Sequence, residues 1–480
     1  MNSERAIAIA GGNTPLYNAI KAYADSGTVP FHMPGHKLGA GMPPEFLSGI
    51  LGLDLTELPG TDNLHHPAGA IRAAQELAAE AFGALASYFL VNGSTGGILA
   101  MIPAICRPGD SLIVGRDCHR AVIGGMLLAG VRPVYVLPEY DAHFGITTGI
   151  TPESVEAALC AEPDAAGVLL TRPNYYGVCN DLADIARIVH SHGKLLAVDE
   201  AHGAHLRFTS RLPISALEAG ADICVQSAHK TLPALTQGAY LHVGSEAIDR
   251  ERLQYFLRTF QTSSPSYLIM ASLDIARAIM QEAGEKGLNS LLSQIGDLKE
   301  KNRVTANRIL CKNHLRGFDL DETRITLCVK ELGMSGYEAE ELLRTRFGIQ
   351  VEMSDLYNIV CIAVPADLDQ NLGRLFSALG RLPSLSRSDG ASREHEPYRL
   401  QLPVQKLGLA EAVRARSSWV RLEEAAGRIS KEIVAPYPPG IPVLCPGEEI
   451  SREAADYLRK VAASGGLVHG LNEKCELNVI

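Results

Sequence analysis

Short apolar runs alternate with stretches of helical periodicity between about residues 85 and 243. Six of the runs are wholly or mostly apolar, and they lie at 87–91, 111–114, 134–137, 167–171, 194–199 and 222–226. Strands of this kind, separated by helices, predict a mostly parallel sheet that is covered on both faces. In such sheets, ligands bind beyond the carboxyl ends of the strands. The residues that directly follow the runs are therefore the first candidates for chemistry.

The rest of the chain divides into smaller units. A long helical stretch near 265–310 precedes a mixed helix and strand unit. Residues 383–397 are polar and carry Ser, Gly and Pro turn signals, which is typical of a linker. The first 84 residues are rich in loops. The predicted division of the chain is 1–84, 85–310, 311–382, 383–397 and 398–480.

Length and composition narrow the possible functions. A chain of 480 residues exceeds what one hydrophobic core usually serves, which favours several domains. A hydrophobic content of 46% and a charged content of 20% are typical of a globular enzyme. The formal net charge of -10 argues against a nucleic-acid-binding face, which needs a concentrated basic patch. The acidity fits a small cationic partner only weakly, because net charge does not place the carboxylates.

Cysteine usage and hydropathy indicate the compartment. The ten cysteines include no CxxC pair, so neither a zinc site nor a disulfide framework is predicted. The N-terminus shows no signal peptide, and no apolar run approaches the roughly 20 residues of a membrane span. We therefore expect a cytoplasmic protein with reduced thiols, no metal and no membrane partner.

A glycine-rich turn follows the first predicted strand and opens a helix at Asn92–Gly97. Glycines allow a close approach of the backbone to an anion, and the helix N-terminus supplies free N–H groups. The hydroxyls of Ser94 and Thr95 add donors. The segment lacks the Gly-Lys-Ser/Thr ending of a nucleotide P-loop. An anion site is predicted here, although a plain turn with small residues for packing explains the segment equally well.

Asp199 closes the strand at 194–199 and is followed by His202 and His205. A carboxylate at a strand end can keep a ring nitrogen protonated, because an opposite charge favours the charged form. Alternatively, Asp199 caps the following turn. A metal site is a weaker alternative, because the two histidines are not on a helix and no fourth ligand is evident.

Lys230 lies just beyond the next strand, between Ser227–His229 and a stretch with little helical pattern. A lysine amine reacts with aldehydes once desolvation or cationic neighbours lower its pKa. The alternative is that Lys230 is an ordinary exposed surface lysine, but the polar residues that flank it make this interpretation weaker. His119 follows the strand at 111–114, where an imidazole can stack on a flat cofactor or serve the structure alone.

These four features supply an anion cradle, a partner for a ring nitrogen, a stacking face and an amine for an aldehyde. Pyridoxal phosphate (PLP) is one cofactor that needs all four. The same chemistry predicts an enzyme, with the reacting groups at one edge of the sheet.

Several motifs over nearly the whole chain carry a resemblance to a known family, and they are FHMPGHK (31–37), DLTELPG (54–60), VDEAHGAH (198–205), QSAHKTLPALTQG (226–238), TSSPSY (262–267) and APYPPGIPVLCPGE (435–448). The sequence resembles the ornithine/lysine/arginine decarboxylases, which are fold-type-I PLP enzymes, in the short form without an N-terminal wing domain. The lysine motif and VDEAHGAH are specific together, and the terminal motif separates the family from aminotransferases.

The resemblance implies an α/β fold of the aspartate-aminotransferase type. Residues 85–310 would form the large PLP-binding domain around the mostly parallel sheet, and 311–382 a small α/β domain. Residues 398–480 would form a C-terminal α+β extension that belongs to the decarboxylases. Residues 1–84 would contribute to a dimer and to its shared active sites.

Matching positions imply the roles of individual residues. Lys230 would bind the cofactor aldehyde and Asp199 the pyridine nitrogen, while His119 would stack on the ring and His202 lie beside its oxygen substituent. The residues implied to hold the phosphate are Ser94, Thr95, Ser227 and His229. Ser263 or a neighbour would reach the phosphate of the partner subunit. One departure is Ala121, which stands where the family pattern has a serine.

The implied reaction is the PLP-dependent decarboxylation of arginine, lysine or ornithine to a polyamine precursor and CO2, in a cytoplasmic homodimer or larger homo-oligomer. A cationic substrate tail needs carboxylates. The candidates are Asp54, Glu57 and Asp62, which a partner subunit could donate across the dimer interface, and Glu448. Surface turn carboxylates are an equally good interpretation of each. The sequence does not rank the three substrates, since tail length and charge shape are matched by pocket geometry.

Two other interpretations remain open. One is an aminotransferase or acyltransferase on the same fold, which usually needs an arginine for the substrate carboxylate and a second substrate. The other is a catalytically silent PLP-binding protein. CO2 release without an added keto acid distinguishes the decarboxylase from both.

Overall fold

The computed structural model describes residues 15–368, 370–385, 398–402, 404–437 and 440–480, except for the side chain of Val304. Most of the predicted linker at 383–397, from residue 386 onward, lies outside the described residues.

The strands of the described chain are, in order, β1 (Val29–Phe31), β2 (Ala86–Leu90), β3 (Ser111–Gly115), β4 (Arg132–Val136), β5 (Tyr140–Asp141), β6 (Ile146–Thr147), β7 (Gly167–Thr171), β8 (Val178–Cys179), β9 (Leu195–Asp199), β10 (Ile223–Gln226), β11 (Ala239–Val243), β12 (Asp319–Leu320), β13 (Arg324–Cys328), β14 (Ile349–Val351), β15 (Met353–Ser354), β16 (Asn358–Ile362), β17 (Ser418–Arg421), β18 (Ala435–Tyr437), β19 (Leu467–His469) and β20 (Glu476–Val479).

The α-helices are, in order, α1 (Pro15–Asp25), α2 (Pro44–Gly49), α3 (Ala70–Phe82), α4 (Gly93–Ile105), α5 (Arg120–Ala129), α6 (Pro152–Ala161), α7 (Leu182–Ser191), α8 (Ala228–Thr231), α9 (Arg250–Phe260), α10 (Tyr267–Ile279), α11 (Glu285–Lys301), α12 (Arg303–Ala306), α13 (Gly336–Phe347), α14 (Gln370–Arg381), α15 (Leu409–Arg414) and α16 (Arg452–Ala463).

The central sheet has seven strands in the order β2-β11-β10-β9-β7-β3-β4. The neighbours from β10 to β4 run parallel, and β11 is antiparallel to both of its neighbours. Each of the six predicted runs forms one of these strands, and the prediction of a mostly parallel sheet is confirmed. Since β2, β3, β9 and β10 share one direction, their carboxyl ends meet at a single edge.

Strand β11 was not among the predicted runs, because Tyr240 and His242 interrupt its apolar pattern. His242 is nevertheless fully buried. Its ring nitrogens contact Ser87 Oγ at 2.7 Å and Gln226 Oε1 at 3.2 Å, on the two flanking strands. Buried polar groups are tolerated when they are hydrogen-bonded, so these cross-strand partners allow a histidine inside the sheet.

Helices pack on both faces of the sheet because the strands are apolar on both sides. One apolar cluster joins the sheet to α4, α5 and α9, and a second joins it to α6 and α7. Gly97 of α4 makes the first contact close, since a Cβ there would lie 2.6 Å from the Leu90 side chain and 2.7 Å from that of Val225. This close approach places the N-terminus of α4 at the edge where the strands end.

The smaller units pack against this core. Strands β13, β16 and β15 form a second sheet, and β1 pairs in parallel with β14. One apolar cluster includes Phe31 of β1, Leu273 of α10 and Phe376 of α14, so it spans three of the predicted domains. A separate cluster lies around α16 in the C-terminal unit. No helix among the described residues is both long and apolar enough to cross a bilayer.

Candidate active site

A cavity of about 840 Å³ lies at the edge where the parallel strands end. Seven of the predicted site residues line it, and they are Ser94, Thr95, His119, His202, Ser227, His229 and Lys230. Asp199 is the last residue of β9 and only 2% exposed, at the same edge of the sheet. The structure therefore brings together residues from four separate strand ends.

The N-terminus of α4 forms one end of the cavity. The helix begins at Gly93, and no side chain caps its first N–H groups. Ser94 is half-buried there, and Ser227 Oγ donates to its hydroxyl oxygen at 2.8 Å. Free backbone donors, a helix dipole and two hydroxyls form a site suited to a phosphate.

His119 is the N-cap of α5 and faces the cavity. Its Nδ1 accepts a hydrogen bond from the backbone N–H of Ala121 at 3.2 Å. A neutral imidazole with an accepting Nδ1 carries its proton on Nε2. Burial, followed by the nearby Lys230 cation, lowers the pKa of His119 to about 4, so the ring is neutral at pH 7. The missing serine hydroxyl at position 121 does not affect this contact, because the backbone makes it.

Asp199 is a buried carboxylate without a cationic hydrogen-bond partner. Its Oδ1 accepts from the backbone N–H of Ala201 at 3.1 Å, and no ion pair of Asp199 occurs in the described part of the chain. Burial raises the pKa of Asp199, and the nearby charge of Lys230 opposes that rise. A buried carboxylate in this state favours a cation beside it, such as a protonated ring nitrogen.

Lys230 lies in the short helix α8 that directly follows β10. Its Nζ is 3.0 Å from Nε2 of His202. Arg324 Nη2, from the start of β13, donates to Nδ1 of the same imidazole at 2.6 Å. The pKa of Lys230 is lowered to about 8, mainly by burial; the Asp199 charge opposes this decrease and the Arg324 charge contributes to it. The amine is therefore much easier to deprotonate than an ordinary lysine.

His229 has only part of the predicted role available. Its Nδ1 lies 3.0 Å from the backbone carbonyl of Gly238, which can only accept, so Nδ1 carries the proton. Burial lowers the pKa of His229 to about 4, which leaves Nε2 without a proton at pH 7. His229 Nε2 can therefore donate a hydrogen bond to a phosphate only if the charge of the bound anion raises the pKa of the ring enough for Nε2 to be protonated.

Comparison with known proteins identifies the chain. Residues 14–319 match the family described as "Orn/Lys/Arg decarboxylase, major domain", and residues 401–476 match its C-terminal domain. The chain belongs to the Orn/Lys/Arg decarboxylase family. It is therefore an amino-acid decarboxylase of the PLP-dependent fold type, acting on a basic amino acid.

Individual relatives agree with the family. The chain is 39% identical over 466 residues to a protein named arginine decarboxylase from Bacillus subtilis, with 95% of each chain covered. The constitutive lysine decarboxylase of Escherichia coli is similar in structure, with a TM-score of 0.73 and 20% identity over 97% of this chain and 82% of that one. An L-threonine transaldolase from Pseudomonas fluorescens has the same fold, with a TM-score of 0.61 and 15% identity over 77% of this chain and 86% of that one.

The metal alternative for Asp199, His202 and His205 does not match the geometry of this decarboxylase. His202 lies between two cationic side chains, and His205 Nε2 pairs with Asp321 at 3.1 Å. Among the residues that the structure describes, no group of three potential ligands is placed to hold a metal ion.

Three of the predicted tail-binding carboxylates lie in the N-terminal segment, outside the lining of the cavity. Asp54 is exposed and Glu57 half-buried. Asp62 accepts hydrogen bonds from four backbone N–H groups at the start of α3. Desolvation raises the pKa of Asp62, but these hydrogen bonds outweigh it and lower the pKa to about 2. Asp62 therefore caps a helix, and its interpretation as a substrate ligand is corrected.

Glu448 is also occupied elsewhere. It is fully buried, pairs with Arg116 Nη2 at 3.0 Å and accepts from the backbone N–H of Cys445 at 2.6 Å. Arg116 also donates to the carbonyls of Pro442 and Val443. The prediction of Glu448 as a substrate ligand is corrected on this evidence, because the pair fastens the C-terminal unit to the segment that follows β3.

Replacing Glu448 with alanine should reduce stability. The change leaves the Arg116 charge buried without its partner, which costs about 3–5 kcal/mol in comparable pairs. Fluorescence of Trp419, the single tryptophan, will report urea unfolding of the C-terminal unit. The matched control is Glu449→Ala, which breaks a half-exposed pair with Lys406 and should cost about 1 kcal/mol or less. Equal losses in the two variants would contradict the assignment.

Glu352 is the acidic residue that the sequence analysis missed. It lines the cavity directly after β14, and its Oε2 accepts from the backbone N–H of Met33 at 2.8 Å. Polar residues at 350 and 352 alternate with apolar Ile349, Val351 and Met353, which is the pattern of a half-buried strand. That alternation could have placed Glu352 on a polar face, but not in this cavity.

Proposed function

We propose that this decarboxylase removes the α-carboxylate of arginine and releases agmatine, a polyamine precursor, with CO2. The proposal is carried by Lys230 at the strand edge, since the described residues that line its cavity include a carboxylate and no arginine. The name of the Bacillus subtilis relative supports arginine over lysine and ornithine. The guanidinium group of arginine also suits bidentate contact with a carboxylate such as Glu352.

The cavity residues fit PLP. Asp199 offers a buried carboxylate that lacks an ion pair among the described residues, and α4 offers uncapped N–H groups. The Lys230 amine and the neutral ring of His119 line the same cavity. When bound, PLP supplies an electron sink that stabilises the charge left at Cα after CO2 departs.

The protein would hold the cofactor from three sides. Ser94, Thr95 and Ser227 would hold the phosphate at the start of α4, while Asp199 would keep the pyridine nitrogen protonated. His119 would stack on the ring, and His202 would lie beside the ring oxygen. Lys230 Nζ and His202 Nε2 are 3.0 Å apart, so the imidazole is within hydrogen-bond distance of the amine that would bind the cofactor aldehyde.

The lining favours decarboxylation over amino transfer. No arginine lies among the described residues that line the cavity, and Arg324 is turned away into the buried contact with His202. An aminotransferase on this fold usually binds the substrate carboxylate with an arginine. A carboxylate left unclamped can instead turn perpendicular to the cofactor ring, which is the orientation from which it leaves.

The reaction is tested by incubating the holoenzyme with arginine, lysine or ornithine separately, without an added keto acid. The expected result is CO2 and agmatine from arginine at the highest kcat/KM. Activity that requires a keto acid would indicate an aminotransferase. A yellow preparation that is inert toward all three would indicate a silent PLP-binding protein.

Glu352→Gln should raise the KM for arginine about 10- to 100-fold with a smaller change in kcat. The reason is that a hydrogen bond to a charged group contributes about 1.5–3 kcal/mol, and the neutral amide loses the charge. Initial rates against arginine concentration will measure the effect. Glu57→Gln is the matched control. If Glu57→Gln raises the KM for arginine and Glu352→Gln does not, the substrate tail is instead assigned to the N-terminal segment.

The proposal includes a homodimer in the cytoplasm. Large apolar side chains are exposed in two stretches of the N-terminal segment, and they are Leu16, Tyr17 and Ile20 of α1 and, further on, Leu51, Leu53, Leu55 and Leu58. A second copy would cover these side chains. Ser263 is exposed outside the lining of its own cavity, where it could reach the partner's phosphate site. The ten cysteines are free thiols, which suits a reducing compartment.

A further inference from the structure

A buried chain of polar contacts connects the second sheet to the amine of Lys230. Arg324, at the first position of β13, donates to Nδ1 of His202, and Nε2 of the same ring lies 3.0 Å from Lys230 Nζ. The Arg324 side chain is 1% exposed and His202 is 5% exposed, so water has little access to either contact. The His202 imidazole therefore contacts Arg324 through one ring nitrogen and Lys230 through the other.

The chemistry of the guanidinium group fixes the direction of both hydrogen bonds. Arginine carries five N–H donors and no acceptor, so Nδ1 of His202 must be the acceptor. The proton of the neutral imidazole then lies on Nε2 and points toward Lys230. Nζ can accept that proton only as an uncharged amine, because an ammonium has no lone pair.

Protonation of His202 is opposed by its surroundings. An imidazolium would direct an N–H group at the Arg324 guanidinium across 2.6 Å. Burial, and next the charges of Lys230 and Arg324, lower the pKa of His202 well below its usual range. The neutral Nε2–H tautomer is therefore the form that satisfies both neighbours.

We propose that Arg324 is a positioning residue, which fixes His202 as an Nε2–H donor and so favours the uncharged form of the Lys230 amine, which is the form that reacts with an aldehyde. This inference deepens the proposed function and rests on it. It gives the second sheet a direct part in preparing the nucleophile. It also explains why an arginine so close to the site does not line the cavity.

Neighbouring residues hold Arg324 in place. Asp321 Oδ2 lies 4.0 Å from Arg324 Nε, and the same carboxylate pairs with His205 and accepts from Thr323 Oγ1 at 2.6 Å. All of these side chains are buried. The ionisable groups that act on Lys230 or are affected by its charge are Asp199, Glu352, Arg324, His202, His119 and His229.

The uncharged fraction of the Lys230 amine can be measured without cofactor. Cofactor-free protein is labelled with trace acetic anhydride between pH 6 and 10, and mass spectrometry quantifies the peptide that contains Lys230. Exposed Lys286 of α11 provides the internal reference in the same digest. We expect the wild-type labelling to titrate near the pKa of Lys230, about 8.

Arg324→Gln should move this titration upward by about one pKa unit, which is about tenfold less labelling at pH 7. The glutamine oxygen can accept from Nδ1–H, so Nε2 becomes free to accept from a charged ammonium. Arg324→Lys keeps a side chain that only donates, and should titrate with the wild type. If the glutamine variant does not fold, Arg324→Met removes the donor with a similar side-chain length.

A double-mutant cycle separates positioning from direct charge. In a His202→Leu background, the effect of Arg324→Gln should fall to less than half, because its route to Lys230 is gone. An equal effect in both backgrounds would overturn the proposal, as would identical titrations of the Gln and wild-type proteins, or of the Gln and Lys variants. These outcomes do not depend on CO2 release, so a failure of the proposed reaction is recognised separately.

Discussion

Lys230→Ala should lower kcat/KM for arginine by at least about 10³-fold, which is the scale of removing a covalent nucleophile. No other lysine can replace it, since Lys230 is the one lysine among the described residues that line the cavity. Cofactor affinity should also fall, because the covalent link is lost while the contacts of Ser94, Asp199 and His119 remain. Steady-state rates and the cofactor content of the purified variant measure the two effects.

Two controls accompany this variant. Lys286→Ala removes an exposed lysine of α11 and should retain wild-type rates. Borohydride reduction of the wild-type holoenzyme, followed by mass spectrometry, should place the cofactor mass on the peptide that spans residues 226–238. A cofactor adduct on a different lysine, or an active alanine variant, would remove the basis of the proposed site.

The mostly parallel sheet and the edge where its strands end could be predicted from the sequence because the signal for each strand is local. Each parallel strand is a short apolar run, and the residue that follows it reaches the common edge whatever the details of packing. Ser94, His119, Asp199 and Lys230 were identified in this way. Strand β11 was missed because the partners of His242 lie on neighbouring strands and that of Tyr240 lies in α10, which no local pattern shows.

The carboxylates show where sequence reasoning fails. Asp62 and Glu448 were predicted to bind the substrate tail because they are carboxylates, but other groups of the protein occupy both of them. The backbone donors of α3 occupy Asp62, and Arg116 lies 332 positions from Glu448 along the chain. Glu352 enters the cavity only because β1 and β14 pair, which brings Met33 beside it. Contacts as distant along the chain as those of Glu448 with Arg116 and of Glu352 with Met33 are decided by tertiary packing.

Asp199→Asn should lower kcat about 10²- to 10³-fold while the KM for arginine changes little. That is the typical cost of removing one preorganised electrostatic contact from an active site. The carboxylate at the end of β9 favours a cation beside it, whereas a neutral amide does not, so the ring nitrogen would lose its proton and with it most of the electron demand on Cα. The proposed substrate contact, Glu352 after β14, is left in place by this change.

A matched control comes from the neighbouring strand. Asp222 is buried just before β10, at the opposite end from the cavity, where it contacts His190 and the backbone N–H of Leu196. Asp222→Asn should reduce stability and leave kcat of the folded enzyme near that of the wild type. Rates normalised to bound cofactor measure both variants. A similar loss of kcat in the two would mean that any buried carboxylate of the sheet matters, and the specific pairing of Asp199 with the ring nitrogen would be rejected.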